Sequence, residues 1–236
     1  MRAGIVGAMA SYPRRADLAE MKRSEVLRAS PRMFESNLLD KLSRVHWSVP
    51  AILFGPAIVL VLARALQSIP LWQTILWALG GYVFWTLTEY WLHRMVFHFE
   101  PDEGIGARMH WIIHGVHHDH PNDPLRLVMP PSVSVPLAAA FFGLFSVVLG
   151  SPRCFAFAAG FWAGYLAYDM LHYYVHHLPG GRRPRAWLPR TLHELHMRHH
   201  FQDHDAGYGV SAPFWDHVFG TAPERRVAPE RRHVES

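Results

Sequence analysis

Residues 109–131, MHWIIHGVHHDHPNDPLRLVMPP, concentrate histidines at helical spacing. His114, His117 and His118 fall at i, i+3 and i+4, so on a helix they lie on one side. Neutral imidazole is a good metal ligand, and pairs at these spacings can bring two ring nitrogens to one ion. The stretch therefore predicts a helix that carries part of a buried metal site.

Three further groups of histidines accompany this stretch. The pair His172/His176 and the triplet at 196, 199 and 200 repeat the helical spacing, and the pair His93/His98 lies just upstream. Ten imidazoles exceed the needs of one ion. Shared between two ions, they supply about five nitrogens each and leave positions open for a bridge or for dioxygen. The count favours a dinuclear site.

The charge distribution indicates a membrane protein. The 236 residues are 50% hydrophobic and 18% charged, and the charges concentrate at the two ends and around residues 94–126. The excess of Lys+Arg over Asp+Glu, 23 against 19, suits an anionic membrane surface, and no nucleic-acid module is recognisable. The lone Cys154 excludes an intramolecular disulfide or a cysteine-held cluster, so a metal relies on imidazole and oxygen.

Four apolar segments are predicted to cross the membrane. They comprise residues 50–69, 71–92, 132–149 and 154–171, and each is about as long as the hydrocarbon core requires. Short turns join them into two hairpins, and small residues in the fourth segment favour close helix packing. The predicted fold is all-α: a polytopic membrane protein with four transmembrane helices in two hairpins and a cytosolic helical cap that holds a histidine-rich dimetal site.

Basic residues indicate the orientation and the boundaries. The two turns carry only Arg153, whereas most other basic residues flank the opposite ends, so the positive-inside rule puts every histidine box in the cytoplasm. We predict a cytosolic amphipathic segment over 1–49, a membrane domain over 50–221 and a disordered tail over 222–236. Apolar residues at helical spacing in the first segment fit a helix on the membrane surface or packing against the protein body equally well.

The histidine boxes resemble those of the fatty acid hydroxylase superfamily. They read HRMVFH (93–98), HGVHH (114–118), HYYVHH (172–177) and HMRHH (196–200). HPNDPLRLVMPP (120–131) and GYGVSAPFWDHVFGT (207–221) further resemble the fatty acid 2-hydroxylases of sphingolipid acyl chains. The resemblance covers residues 33–221 and implies O2-dependent hydroxylation at C2 of an acyl chain. The metal ligands that it implies are His93, His98, His114, His117, His118, His172, His176, His196, His199 and His200.

The hydroxylation that the resemblance implies determines which cofactors and partners we expect. Attack on an unactivated C–H bond exceeds what side chains can do, so two irons are the expected working ions, with zinc as the alternative occupant of a purified sample. The sequence lacks the haem-binding HPGG motif of a fused cytochrome b5 domain. We therefore expect a separate electron donor, such as a cytochrome b5 or a ferredoxin with its reductase, and favour a bacterial inner membrane over the endoplasmic reticulum.

Asp169, near a membrane end, is the most suggestive residue outside the boxes. Ionisable residues at that depth are energetically costly and usually have a function. We predict that Asp169, together with Tyr165 and Tyr168, holds the polar head or the carbonyl of a lipid acyl substrate. Carboxylates near the boxes, such as Glu89 and Asp203, are candidates for orienting ligand imidazoles.

Three alternatives stay open at this point. The same boxes fit a sterol or carotenoid hydroxylase or desaturase. A membrane metal-binding or transport protein would require ligands inside the spans, along a pathway through the bilayer. A zinc hydrolase is disfavoured because the sequence has no HExxH motif.

Overall fold

The computed structural model describes residues 20–178 and 182–223, and within these ranges it is all-α with no strand. The predicted start of the chain and most of the predicted tail lie outside the described residues. The α-helices are α1 Arg23–Val26, α2 Asn37–Leu42, α3 Ser48–Leu66, α4 Leu71–Leu92, α5 Gly104–His110, α6 Val116–Asp119, α7 Pro131–Leu149, α8 Arg153–His176, α9 Trp187–Phe201 and α10 Phe214–Val218. Two π-helical turns, His93–Phe97 and Trp111–Gly115, interrupt them.

All four predicted spans form long helices. Of the helices in the described ranges, α3, α7 and α8 are long and apolar enough to cross a membrane. Helix α4 has 22 residues, but its tryptophans, glycines and threonines make it less apolar, so the count of four spans stays a prediction. Helix α8 continues to His176, five residues beyond the predicted end, and its last turns therefore carry a histidine box.

Glycines bring α4 and α8 into close contact. A Cβ atom on Gly160 would lie 1.7 Å from the carbonyl oxygen of Ala78, and one on Gly164 would lie 2.7 Å from the Trp85 side chain. The predicted role of small residues in this helix is confirmed at these two positions. Because the contacts advance in the same direction along both helices, α4 and α8 run parallel and deliver their C-terminal ends, with His93 and His176, to the same place.

We call residues 99–130 and 182–223, which lie outside the long helices, the cap. The amino-terminal segment, residues 20–47, packs on the cap through a buried carboxylate. Asp40 accepts a hydrogen bond from the Met33 backbone amide at 2.8 Å and pairs with Arg44 at 3.1 Å and Arg126 at 3.3 Å. Backbone bonds also tie this segment to residues 122–125. The structure forms two short helices, α1 and α2, and α2 leaves leucines 38, 39 and 42 exposed. Contact of these leucines with the membrane surface stays a prediction.

The close approach of α4 and α8 predicts that Gly160→Ala destabilises the protein. The new methyl group would overlap the α4 backbone. Overpacking of this kind lowers the free energy of unfolding by about 1–3 kcal/mol. Gly143→Ala, on α7, is the matched control because a Cβ there meets nothing within 4 Å. Thermal unfolding in detergent measures the difference. Equal melting temperatures for both variants would contradict the predicted role of Gly160.

Candidate metal centre

The structure brings the ten box histidines together as two adjacent groups of five. The candidate ligand atoms of each group lie within 4.8 Å of one another. Group A contains His93, His98, His114, His118 and His199. Group B contains His117, His172, His176, His196 and His200. Each group combines imidazoles from the membrane helices and from the cap, so neither group forms until these two parts pack together.

The boxes do not each supply one group. His114 and His118, four residues apart, both belong to group A, whereas His117 belongs to group B. In α9 the assignment is the opposite: His196 and His200, four residues apart, belong to group B, whereas His199 belongs to group A. Positions i+3 and i+4 lie about 100° apart on an α-helix, on opposite sides of position i. The triplet therefore points into one cluster but divides between its two groups, with His117 in group B.

A π-helical turn explains the wider spacing of the first box. Residues His93–Phe97 form the turn, and the His98 amide donates to the His93 carbonyl at 3.1 Å. An i+5 hydrogen bond stacks residues that are five apart, and such turns recur at functional sites. His93 and His98 therefore enter the same group although an α-helix would separate them. The second turn, Trp111–Gly115, carries His114.

Within each group the Nε2 atoms face one another. In group A, Nε2 of His114 lies 3.1 Å from that of His93 and 3.0 Å from that of His118. In group B, Nε2 of His196 lies 2.8 Å from that of His176 and 3.2 Å from that of His200. Two nitrogens at right angles on one ion, each at a usual metal–nitrogen length, are about 3 Å apart. The spacing of the nitrogens fits a bound metal.

Backbone carbonyls fix which nitrogen of three histidines carries its proton. Nδ1 of His93 donates to the Tyr208 carbonyl at 2.7 Å, Nδ1 of His199 to the Ala206 carbonyl at 2.9 Å, and Nδ1 of His172 to a third carbonyl at 3.3 Å. Their Nε2 atoms then carry lone pairs that point into the groups. Because these lone pairs belong to groups whose five candidate ligand atoms lie within 4.8 Å of one another, the donor set fits a metal.

Burial keeps these imidazoles neutral. It lowers the pKa of His98 and of His118 from 6.5 to about 2, with repulsion from neighbouring histidines as the second cause. Burial also lowers the pKa of His199 to about 4. The same cause lowers the pKa of His93 and His114 well below 6.5. At neutral pH the cluster therefore presents the deprotonated nitrogens that metal binding requires.

Comparison with known proteins identifies the family. The fatty acid hydroxylase profile matches residues 77–221. A dihydroceramide fatty acyl 2-hydroxylase of Arabidopsis thaliana is 36% identical, over 85% of this chain and 84% of the relative. The chain belongs to the fatty acid hydroxylase family. The ceramide very long chain fatty acid hydroxylase of Saccharomyces cerevisiae is 38% identical, over 78% of this chain and 48% of that protein.

A solved structure is also similar to this chain. The structure titled full-length scs7p, in which only the hydroxylase domain is visible, has a TM-score of 0.74 and 35% identity. The match covers 81% of this chain and 72% of that chain. The human fatty acid 2-hydroxylase is 31% identical, over 87% of this chain and 59% of its own length. The resemblance to this family is thus confirmed.

An apolar cavity of about 310 Å³ reaches both histidine groups. His114 of group A and His117 and His172 of group B line its inner end. Most of the remaining wall is apolar, and it comes from the amino-terminal segment, the second π-helical turn, residues 126–130 and the start of α7. Four apolar side chains at its mouth are half exposed: Leu39, Leu42, Ile113 and Val133.

The three predicted substrate residues divide between two cavities. Tyr168 and Asp169 line the large cavity, and Tyr168 stacks on His172 with ring centroids 5.7 Å apart. Asp169 is 1% exposed, and its Oδ2 atom has no hydrogen-bond partner among the described residues. Tyr165 instead lines a separate cavity of about 20 Å³ and packs edge-on against Phe54. The structure therefore does not bring Tyr165 to the histidine groups.

Sequence reasoning missed the groups that orient the ligands. It proposed carboxylates, whereas the acceptors for His93, His172 and His199 are backbone carbonyls. A carbonyl has no signature in the residue types, although the glycines at 207 and 209 indicate an unusual loop. Among residues 20–178 and 182–223, the histidines left out of the predicted set lie outside both groups. His120, for example, is buried but bonds the Val26 carbonyl.

The lowered pKa values predict that the metal-free protein loses stability as the pH falls below 6.5. The unfolded chain takes up protons there, while His98 stays neutral down to about pH 2 when folded. Each such group weakens stability by about 1.4 kcal/mol per pH unit between its unfolded and folded pKa values. We expect His98→Gln to reduce this slope and the exposed His46→Gln to leave it unchanged. Denaturant unfolding in detergent at several pH values measures the slopes, and identical slopes would contradict the assignment.

Proposed function

We propose that this chain is a membrane-bound monooxygenase that hydroxylates a lipid fatty acyl chain at C2. The observation that carries the proposal is the apolar cavity, whose inner end is lined by ligand histidines of both groups, His114, His117 and His172. Its volume lies at the lower end of the usual range for ligand pockets. An acyl chain is the lipid component that such a wall fits, and the Arabidopsis relative is named for hydroxylation of a dihydroceramide acyl chain at this carbon.

Polar groups at the inner end would select the carbon that reacts. Tyr168 and Asp169 lie on the cavity wall beside His172. In our proposal the Tyr168 hydroxyl donates to the acyl carbonyl and the unpaired Asp169 Oδ2 accepts from an N–H or O–H group of the head. Holding the carbonyl beside the histidines leaves the adjacent methylene, C2, as the nearest part of the chain to the metals. Positioning of this kind selects one C–H bond among many equivalent ones.

The ten histidines would hold two ions, which we propose to be iron. Iron supplies the activation of O2 that attack on an unactivated C–H bond requires. One O2, two electrons and two protons convert the C–H bond into C–OH and release one water. The electrons come from a separate donor protein, because no side chain in the site is a reductant. The protein's own contributions are neutral ligands, an apolar substrate cavity and a fixed carbonyl position.

The mouth of the cavity indicates how substrate arrives. Val133 lines the mouth near the start of α7, a helix long enough to cross a membrane. We propose that an acyl chain enters there from the bilayer, at the membrane boundary. The basic residues that flank this end of the helices favour the cytoplasmic side for the centre.

The proposed activity is tested by lipid mass spectrometry of cells that express the chain with O2 and a competent electron donor. We expect acyl chains that gain one oxygen atom, placed at C2 by fragmentation. His114→Ala removes a ligand at the cavity wall and should abolish the product. His46→Ala, an exposed histidine outside both groups, should retain it. Product from the His114→Ala form, or none from the iron-loaded wild type, would overturn the proposal.

The proposed entrance predicts that Ile113→Trp blocks hydroxylation without loss of metal. Ile113 lines the mouth and is 46% exposed, so a larger side chain narrows the cavity with little effect on packing. Ile105→Trp is the matched control because Ile105 is 84% exposed and does not line the cavity. Product yield and bound metal are measured on the same preparations. Full activity of the Ile113 variant would exclude this route.

A further inference from the structure

The C-terminal loop, residues 206–221, holds two of the group A histidines. Its Ala206 and Tyr208 carbonyls accept the Nδ1 protons of His199 and His93, respectively. Both carbonyls therefore have to be held at fixed positions for the two Nε2 atoms to point at the same ion. The contacts that hold this loop in place therefore determine the orientation of His93 and His199 in group A.

Asp216 is the centre of the loop. It is 2% exposed, and its carboxylate accepts hydrogen bonds from the Tyr208 amide at 2.8 Å, the Gly209 amide at 2.9 Å and the Thr221 hydroxyl at 2.8 Å. A Cβ on Gly209 would lie 2.9 Å from the Asp216 Oδ2 atom, so the backbone approaches as closely as it can. The carboxylate thereby holds the same residue, Tyr208, whose carbonyl orients His93.

A second buried carboxylate anchors the loop to the membrane helix. Glu89 lies on α4, one helical turn before His93, and is 3% exposed. It accepts the Ser211 amide at 2.7 Å and the Ser211 hydroxyl. The Trp215 indole also donates to the Thr86 hydroxyl at 3.1 Å. The loop is therefore fastened to the helix that delivers His93.

Group B has less support of this kind, because His172 is its one member with a carbonyl acceptor among the described residues, at 3.3 Å. Four of its five histidines have a buried Nδ1 atom without a hydrogen-bond partner among the described residues: His117, His176, His196 and His200. In group A this holds for His98 alone. Partners on the second nitrogen raise the basicity of an imidazole ligand and hold its ring in place, and their loss typically weakens metal binding by roughly 10- to 100-fold.

We infer that Asp216 is a positioning residue for the group A ion and that the two ions are held unequally, with group A the tighter site. The inference rests on the proposed function, because it takes the two histidine groups to be metal sites. Asp216→Asn replaces one of the two acceptor oxygens by an NH2 group, so the side chain can no longer accept from both the Tyr208 and the Gly209 amides. The carbonyls that orient His93 and His199 then shift, and group A loses its advantage over group B.

Zinc release from the purified full-length chain in detergent tests this inference, with Zn²⁺ alone as the probe. Bound zinc per chain is followed during competition with a chelator. For the wild type we expect two ions that leave in two separate phases. Asp216→Asn should weaken the tighter phase by roughly 10- to 100-fold, as expected for a lost orienting partner. Asp102→Asn, which removes an exposed charge outside this loop, should leave both phases unchanged.

Two single-site backgrounds assign the phases. In a His196→Ala background, which disables group B, Asp216→Asn should weaken the remaining ion, whereas in a His98→Ala background it should not. Equal effects in both backgrounds would overturn the inference. So would a single release phase of the wild type, which needs no variant to fold. A wild-type chain that binds no metal would overturn the proposed function as well, whereas two equally held ions in an active hydroxylase would overturn the inference alone.

Discussion

Convergence of ten imidazoles in a buried space is the constraint on which the rest of the structure depends. The Nε2 atoms of neighbouring histidines lie about 3 Å apart, and three of these rings are fixed so that a lone pair points inward. Neutral imidazoles that converge in this way form a donor set that a metal ion would bind. The candidate ligands come from the π-helical turn that follows α4, from α8, from α9 and from the segment around α6. A bound metal would therefore connect the membrane helices to the cap.

The helix packing positions this cluster. Parallel α4 and α8 approach closely at Gly160 and Gly164, so their C-terminal ends arrive together, and each carries a pair of histidines. The cap contributes the 114–118 and 196–200 boxes, which contact these histidines. An apolar cavity opens between the cap and the start of α7. The same packing therefore creates the histidine cluster and the cavity that reaches it.

Residue spacing predicted the membership of the cluster better than its internal arrangement. Spacing at i+3 and i+4 indicated eight of the ten members, and His93 and His98, five residues apart, were grouped with them because they lie just upstream. The charge-free segments predicted the long helices. The exchange of His117 and His199 between groups depends on how helices are rotated against each other, which no single helix encodes. The π-helical turn at His93 depends on tertiary packing, and so does the cavity that Tyr165 lines, which its neighbours on adjacent helices determine.

Metal binding and folding are coupled in this architecture. The histidines are buried and neutral, and burial imposes a cost on every imidazole that takes up a proton. A metal ion bound by these nitrogens would add its binding free energy to the folded state alone. Since each group draws on both the membrane helices and the cap, a bound ion stabilises their contact. The substrate cavity lies at that contact, so the metal that would react with the acyl chain also holds together the walls that would receive it.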